Sequence, residues 1–349
     1  MDMKRDYYED VKLFTSGVVV FWLSALVIFL AVFPFITKNY YVYVANYMAI
    51  SVIVVVGLNL LVGYTGQISL GHAGFFAIGA YGTIVLMTKA HFPFLLALPA
   101  AGLIAAFFGF LLGLPALRLE GPYLAIATLG FGVTATQIIG KIKILGERQG
   151  LHAPDLTIGP WLINTDRAFY FVLIPLTVLL VVFARNIVRT KVGRAFIAIR
   201  DADIAAETMG VNLTLYKTLA FAISAFYAGV GGGLYAFVLR FIEPELFSLF
   251  MSVMFLTMTV VGGLGSMFGP IAGACLLAWL DLQLRNILSI PYVGEWLKSL
   301  SQSYFSVTGV SNIQFIVFGL ILIMIMLFEP LGIYGIWIRT KKYWKTWPF

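Results

Sequence analysis

A polar, glycine-rich run lies between two long apolar segments of this chain, over Gly63-Tyr-Thr-Gly-Gln-Ile-Ser-Leu-Gly-His-Ala-Gly-Phe75. It contains four glycines together with Gln67, Ser69 and His72. Lipid offers no hydrogen-bond partner to such groups, so the run is tolerated at membrane depth only where it faces protein or a wet cavity. We therefore predict that Gly63–Gly74 is not a continuous helix and that it lies beside a path for a polar solute.

Seven residues of this run and of a later glycine-rich run, Leu124–Gly132, are candidates for lining that path. They are Gly66, Gln67, Ser69, Gly71, His72, Thr128 and Gly130. The polar members have an alternative role, because hydrogen bonds between membrane helices are worth about 0.6 kcal/mol each on average. For His72 this packing role is at least as well supported as contact with a solute.

The composition is that of a membrane protein. Of the 349 residues, 61% are hydrophobic and 11% are charged, against roughly 25% charged in soluble domains. Apolar stretches close to the twenty residues that cross a bilayer recur along the chain. We predict an all-α, polytopic domain over 1–349 with about ten spans: Val18–Phe35, Tyr40–Leu61, Gly74–Thr88, Phe94–Leu114, Tyr123–Ile139, Phe169–Ala184, Leu219–Phe237, Phe247–Val261, Pro270–Leu284 and Ile313–Phe328.

Lysine and arginine set the expected orientation, since cytoplasmic loops are enriched in both. They are dense in 185–217 and in the C-terminal tail, so we expect both termini and the 185–217 loop in the cytoplasm. The 140–168 segment is then an outer loop, with room for a short helix. Ser289–Ser311 has the mixed polarity of an amphipathic helix on the outer surface.

No motif for covalent chemistry is present. The sequence has no phosphate-binding loop, no Gly-x-Ser-x-Gly elbow and no His-Glu-x-x-His pair. Three histidines and the single Cys275 do not make a metal site. We predict that the chain is not an enzyme and has no catalytic or metal-binding residues.

The charged 185–217 loop contains a predicted short helix, from about Asp203 to Met209. Asp201 or Asp203 is a candidate N-cap, and Gly210 a candidate C′ residue. The apolar residues Ile204, Ala205 and Met209 would share one face. The alternative is an ordinary solvated connecting helix.

A weak internal repeat is visible at one constant offset. Gly63, Gly66, Ala73 and Gly74 correspond to Gly262, Gly265, Ala272 and Gly273. Duplicated halves are common in transporters, although with 34 glycines in the chain a chance match is an alternative. Ala225, Gly229 and Gly233 form a separate small-residue stripe, which predicts close helix packing.

Taken together, five segments resemble the ABC-transporter permeases of the branched-chain amino acid uptake family, LivM type. They are Gly63–Tyr81, Leu124–Gly132, the loop Gly193–Asn212, Leu219–Gly229 and Gly262–Gly273. The likeness extends from about Tyr40 to Glu329.

The resemblance implies a permease that pairs with a second homologous permease, two ATPase subunits and a periplasmic substrate-binding protein in a bacterial or archaeal inner membrane. ATP would be bound by the partner subunits, with no cofactor on this chain. The inner loop helix would couple to the ATPase through Asp203, Ala205, Ala206, Glu207 and Gly210.

Two positions depart from the family pattern. Val133 stands where relatives usually carry a carboxylate, and Leu145–Leu151 replaces a Thr-Gly-Gly-type loop and introduces Glu147 and Arg148. Related systems share the motifs of this family, which leaves uptake of urea or short amides as an alternative, although an apolar Val133 favours hydrophobic amino acids.

An ion-coupled secondary transporter and a channel are alternatives of another class. A secondary transporter usually keeps a carboxylate within the membrane, but Glu120, Glu207 and Asp281 are all predicted at span ends. Asp281 is expected to pair there with Arg285, one turn away. A channel would show a charged ring or carbonyl filter, and none is recognisable.

Overall fold

The computed structural model describes residues 17–116, 119, 121–158, 161–285, 313–329 and 331–346. Its α-helices, in chain order, are α1 Gly17–Ile36, α2 Asn39–Thr65, α3 His72–Thr88, α4 Phe94–Ala116, α5 Pro122–Ile139, α6 Asp166–Arg189, α7 Lys191–Asp201, α8 Asp203–Thr208, α9 Leu213–Leu239, α10 Leu249–Gly262, α11 Phe268–Arg285, α12 Ile313–Phe328 and α13 Gly332–Thr346. Each of the ten predicted spans coincides with one of them, which confirms the all-α prediction.

Six described segments are long and apolar enough to cross a membrane. They comprise α2, α4, α5, α6, α9 and the segment Pro244–Gly262, which ends with α10. The helices α1, α3 and α11 contain shorter apolar stretches. Length and composition therefore define a multi-pass membrane protein.

Helix α2 is the centre of the bundle. In its most apolar 18-residue window, 94% of the residues are buried inside the protein, and Ile53, Val54 and Val55 have no exposed surface. A helix that is apolar on every side has no single face to turn toward the core. Helices α6, α7, α9, α10 and α11 accordingly pack around it.

Helix α9 packs against α3 and α4 through small residues, as the stripe predicts. Gly229 lies between Gly79 of α3 and Gly102 of α4, and Gly232 lies against the Phe76 carbonyl of α3. With no hydrophobic force between helices in lipid, such close backbone approach supplies the van der Waals contact that holds them together.

The outer segment 140–168 is a loop with short ordered pieces. It contains two 3₁₀ turns, Lys143–Leu145 and Glu147–Gln149, and the strands β1 Leu151–His152, β2 Thr157–Ile158 and β3 Trp161–Leu162. Strand β1 pairs antiparallel with β4 Phe241–Ile242, and β2 pairs with β3. Two-residue strands have no periodicity to read, so they were not predicted.

Some predictions fall outside the described residues. These are the amphipathic helix at 289–311 and the position of Glu120.

The packing of α9 against α3 gives a stability test. In Gly232→Ala the new Cβ would overlap the Phe76 carbonyl oxygen, and backbone atoms cannot move aside cheaply. We expect a loss of about 1–3 kcal/mol, as is usual for overpacking, measured by thermal unfolding in detergent. The control is Gly319→Ala in α12, where no atom lies within 4 Å; equal melting temperatures for the two variants would contradict this packing.

Candidate translocation site

The glycine-rich run interrupts the helices, as predicted. Helix α2 ends at Thr65, and α3 begins at His72. Gly66 adopts φ +72°, a left-handed conformation that glycine reaches without strain. The N–H groups of Gly66 and Gln67 donate to the carbonyls of Val62 and Leu61, each at 3.2 Å. We call residues 66–71, which lie between the two helices, the first break.

Side chains of α5 and α10 supply the partners of the first break. The Leu70 N–H donates to Thr128 Oγ1 at 3.0 Å, and the Ala73 N–H donates to Ser252 Oγ at 2.8 Å. Gly71 lies directly against the Thr128 carbonyl, where a Cβ would not fit. Thr128 is fully buried, so it stabilises the first break from within the protein and has no solvent-exposed surface.

His72 and Ser69 are also fully buried. His72 Nδ1 lies 3.0 Å from Ser69 Oγ, and His72 Nε2 lies 2.7 Å from Ser224 Oγ of α9. Both ring nitrogens are therefore engaged within the protein. This geometry supports a packing role for His72, which was one of the two roles that the sequence allowed.

Two cavities lie on opposite sides of the first break. We name both cavities after the orientation that the sequence predicts. The outer cavity, on the side of the 140–168 loop, has a volume of about 340 Å³ and is lined by Leu70, Ala73, Val133, Arg148, Glu245 and Ser252, among others. The inner cavity, on the side of the 185–217 loop, has a volume of about 420 Å³; its lining includes Gly66, Gln67, Arg200, Asp203 and Lys217. Leu70 and Gln67 are only three residues apart, so the break is the partition between them.

Gln67 combines burial with an unsatisfied side chain. It is 6% exposed, and neither Oε1 nor Nε2 has a hydrogen-bond partner among the described residues. Leaving a buried polar group without a partner costs about 1–3 kcal/mol. An amide kept at this cost in the partition between two cavities is a candidate contact for a passing polar group.

Gly130, by contrast, lines neither cavity. It lies on the exposed side of α5, and a Cβ there would meet no atom within 4 Å. It is therefore not part of the partition within this chain.

A second interruption lies at the other half of the predicted repeat. Helix α10 ends at Gly262 and α11 begins at Phe268, and we call residues 263–267 the second break. Gly265, the counterpart of Gly66, has the same φ of +72°. Both glycines thus lie in a break between two helices, although Gly66 directly follows α2 and Gly265 comes three residues after the end of α10.

Asn59 joins α2 to the second break and was missed from the sequence. Its Nδ2 donates to the Ser266 carbonyl at 2.8 Å, while its Oδ1 accepts from the Gly265 N–H at 3.1 Å. The available signal was an amide in an apolar span, one of two there with Asn46, and an amide in a membrane helix indicates a specific partner.

The predicted helix of the 185–217 loop is present as α8 and begins at Asp203 as predicted, but neither Asp201 nor Asp203 is its N-cap. Its N-cap is Ala202, with no side-chain capping bond. Asp203 instead forms a 2.5 Å ion pair with Lys217 of α9, and Asp201 pairs with Arg200. The side chain of Lys217 is only 8% exposed, and a buried ammonium requires a counterion more strongly than a helix end requires a cap.

The end of α8 follows the prediction. Gly210 has φ +86°, its N–H donates to the Glu207 carbonyl at 2.9 Å, and the Val211 N–H donates to the Ala206 carbonyl at 3.0 Å. These are the two bonds of a Schellman motif.

The side chains of α8 divide between two faces. Ile204 and Met209 are 81% and 84% exposed, and Ala205 and Glu207 are exposed as well. Ala206 is 4% exposed and packs inward. The short helix therefore presents an apolar surface outward, while Ala206 is a packing residue.

Asp281 was predicted at the end of a span, paired with Arg285, whose side chain lies outside the described residues. Asp281 is fully buried in α11, and the Tyr47 hydroxyl of α2 donates to its Oδ2 at 3.2 Å. The spacing to Arg285 predicts only a neighbour on the same helix, whereas α2 packs against this face of α11.

A multi-pass helical bundle with two helix breaks and a cavity on each side of one break defines a membrane permease. The chain belongs to the family described as branched-chain amino acid transport system / permease component, whose model matches residues 40–326. It is 37% identical to the high-affinity branched-chain amino acid transport system permease protein LivM of Salmonella typhimurium, and equally to that of Escherichia coli K12. Each match covers 73% of this chain and 66% of the relative's length. No solved structure matches the chain.

The His72 contacts give a second stability test. His72→Leu leaves the Ser69 and Ser224 hydroxyls buried without the imidazole, which we expect to cost about 1–3 kcal/mol per group. In a double-mutant cycle, Ser224→Ala should cost less in the His72→Leu background than in the wild type. If the two substitutions change the free energy of unfolding additively, the His72–Ser224 hydrogen bond is contradicted.

Proposed function

We propose that this chain is the permease subunit of an ABC importer for branched-chain or related hydrophobic amino acids. The observation that carries the proposal is the first break, a partition between an outer and an inner cavity in a member of a permease family. Transporters commonly place interrupted helices at the solute site, with access alternating between the two sides.

The outer cavity suits an aliphatic amino acid. Its walls include Leu129, Val133 and Leu249, while Arg148 and Glu245 supply opposite charges to the lining. An apolar wall accommodates an aliphatic side chain, and charges of both signs complement a zwitterion. Urea and short amides need hydrogen bonds to replace lost water, and a valine at 133, 43% exposed, offers none.

Helix α8 is the proposed contact with an ATPase subunit. The exposed Ile204 and Met209 form an apolar patch on a charged loop, as interface cores do. The sequence carries no phosphate-binding loop, and we assign ATP to separate partner subunits, with no cofactor and no catalytic role here. The proposed complex also contains a second homologous permease and a periplasmic substrate-binding protein.

The proposed location is the cytoplasmic (inner) membrane of a bacterium or archaeon. The 185–217 loop and both termini would lie in the cytoplasm, as the distribution of lysine and arginine favours. This orientation puts α8 on the side where ATP is available.

A second candidate, ion-coupled transport, is favoured by one observation. Asp281 is a fully buried carboxylate within a membrane helix, and such groups often belong to proton or sodium relays. It contacts Tyr47 and lines neither of the two cavities, so the importer remains the better supported proposal.

The deciding experiment is reconstitution of the co-purified complex into vesicles with its binding protein. Leucine, isoleucine and valine should be taken up only with ATP on the ATPase side, and an imposed proton or sodium gradient should have no effect. Gradient-driven uptake without ATP would favour the second candidate. Competition by urea but not by leucine would overturn the assignment of the substrate.

Val133 gives a specificity prediction. Val133→Glu puts a carboxylate on the wall of the outer cavity, and we expect it to reduce leucine uptake several-fold because the wall becomes polar. Val133→Ile is the matched control and should stay near wild type. Unchanged uptake in Val133→Glu would remove the basis for assigning an apolar substrate.

Helix α8 gives a coupling prediction. Glu207→Ala and Gly210→Val should lower transport per ATP hydrolysed without preventing insertion, the second because valine is strained at φ +86°. The measurement is the ratio of leucine imported to ATP hydrolysed in vesicles. Normal ratios in both variants would exclude a role of α8 in coupling.

A further inference from the structure

Arg200 lies at the end of α7, three residues before the start of α8, and reaches back toward the first break. Its Nη1 donates to the Gly63 carbonyl in the last turn of α2 at 3.0 Å. Its Nε and Nη2 donate to Asp201 Oδ1 at 3.2 and 3.1 Å. One guanidinium therefore bonds both to the last residue of α7 and to the helix that precedes the first break.

The same side chain also contacts the second break. A Cβ on Gly265 would lie 2.7 Å from Arg200 Nη1, and a Cβ on Gly66 would lie 3.3 Å from Arg200 Cγ. Both glycines have φ +72°. Arg200 thus packs closely against both glycines, and a side chain at Gly265 would displace its guanidinium.

Helix α8 is joined to these contacts by a short connection. Only Ala202, in extended conformation, separates α7 from α8. The Asp203–Lys217 ion pair fixes the first turn of α8 to α9. A displacement of α8 must therefore move Arg200 relative to Gly63 and Gly265, because the linker is too short to absorb it.

We propose that Arg200 is the positioning residue that links the movement of α8 to the two breaks, an inference that rests on the proposed function. With α8 in its present position, Arg200 donates a hydrogen bond to the Gly63 carbonyl and packs against Gly66 and Gly265. These contacts keep the first break closed between the two cavities. When α8 moves, the guanidinium withdraws, the carbonyl loses its partner, and the breaks are free to rearrange. Allosteric coupling of this kind is a difference in contacts between two states.

The first test uses vesicles with the complete complex and leucine as the probe. Arg200→Ala should lower leucine imported per ATP hydrolysed by about 5- to 100-fold, the usual range of a coupling between sites, while ATP hydrolysis continues. Arg200→Lys should recover part of the ratio, because an ammonium still donates to the Gly63 carbonyl. Arg194→Ala removes an exposed charge from the same helix α7 and should leave the ratio unchanged.

A double-mutant cycle separates this role from simple misfolding. Gly265→Ala should displace the guanidinium and reduce coupling in the wild type, but should have a smaller effect in Arg200→Ala. The strain of alanine at φ +72° is present in both backgrounds and cancels.

The outcomes distinguish this proposal from the proposed function. A normal ratio in Arg200→Ala, or additive effects in the cycle, would overturn the role of Arg200 while leaving the importer intact. Wild-type complexes that import no leucine with ATP would instead overturn the importer itself.

Discussion

Backbone groups in the two breaks must find hydrogen-bond partners inside the protein, and most of the remaining architecture depends on this requirement. The membrane core provides neither water nor polar lipid groups to a non-helical segment. Thr128, Ser252, Asn59 and Arg200 supply the partners, each from a different helix. Those helices are consequently fixed around the end of α2 by hydrogen bonds as well as by packing.

The requirement also explains why α2 is so completely enclosed. A helix that ends inside the bundle brings unpaired carbonyls and N–H groups to that depth, and the surrounding helices exclude lipid from them. The side-chain amide of Gln67 in the first break is different, since neither of its polar atoms has a hydrogen-bond partner among the described residues. A buried group without a partner raises the free energy of this arrangement relative to one in which the amide is satisfied. The structure thus favours rearrangement at the position where the two cavities come closest.

Local features were predictable from the sequence. Glycine at Gly66 and Gly210 signals a helix end, and long apolar runs signal spans, because both depend on a few neighbouring residues. The pairing of Arg200 with Gly63, 137 residues away, and of Asp281 with Tyr47, 234 residues away, depends on how helices pack, which no spacing encodes. Asp203 pairs with Lys217 instead of capping α8 because Lys217 is buried. That burial depends on how the helices pack, which the local sequence does not encode.

The bond between Asn59 and Ser266 has a consequence for the synthesis of the protein. The two residues are 207 positions apart, and chains are made at about 5–20 residues per second. Asn59 therefore enters the membrane roughly 10–40 s before its partner exists. Throughout that interval the amide, in a helix whose apolar window is 94% buried in the finished protein, needs a provisional partner such as water, the insertion machinery or its own backbone. Once Ser266 has been synthesised, its carbonyl replaces that partner and joins α2 to the second break.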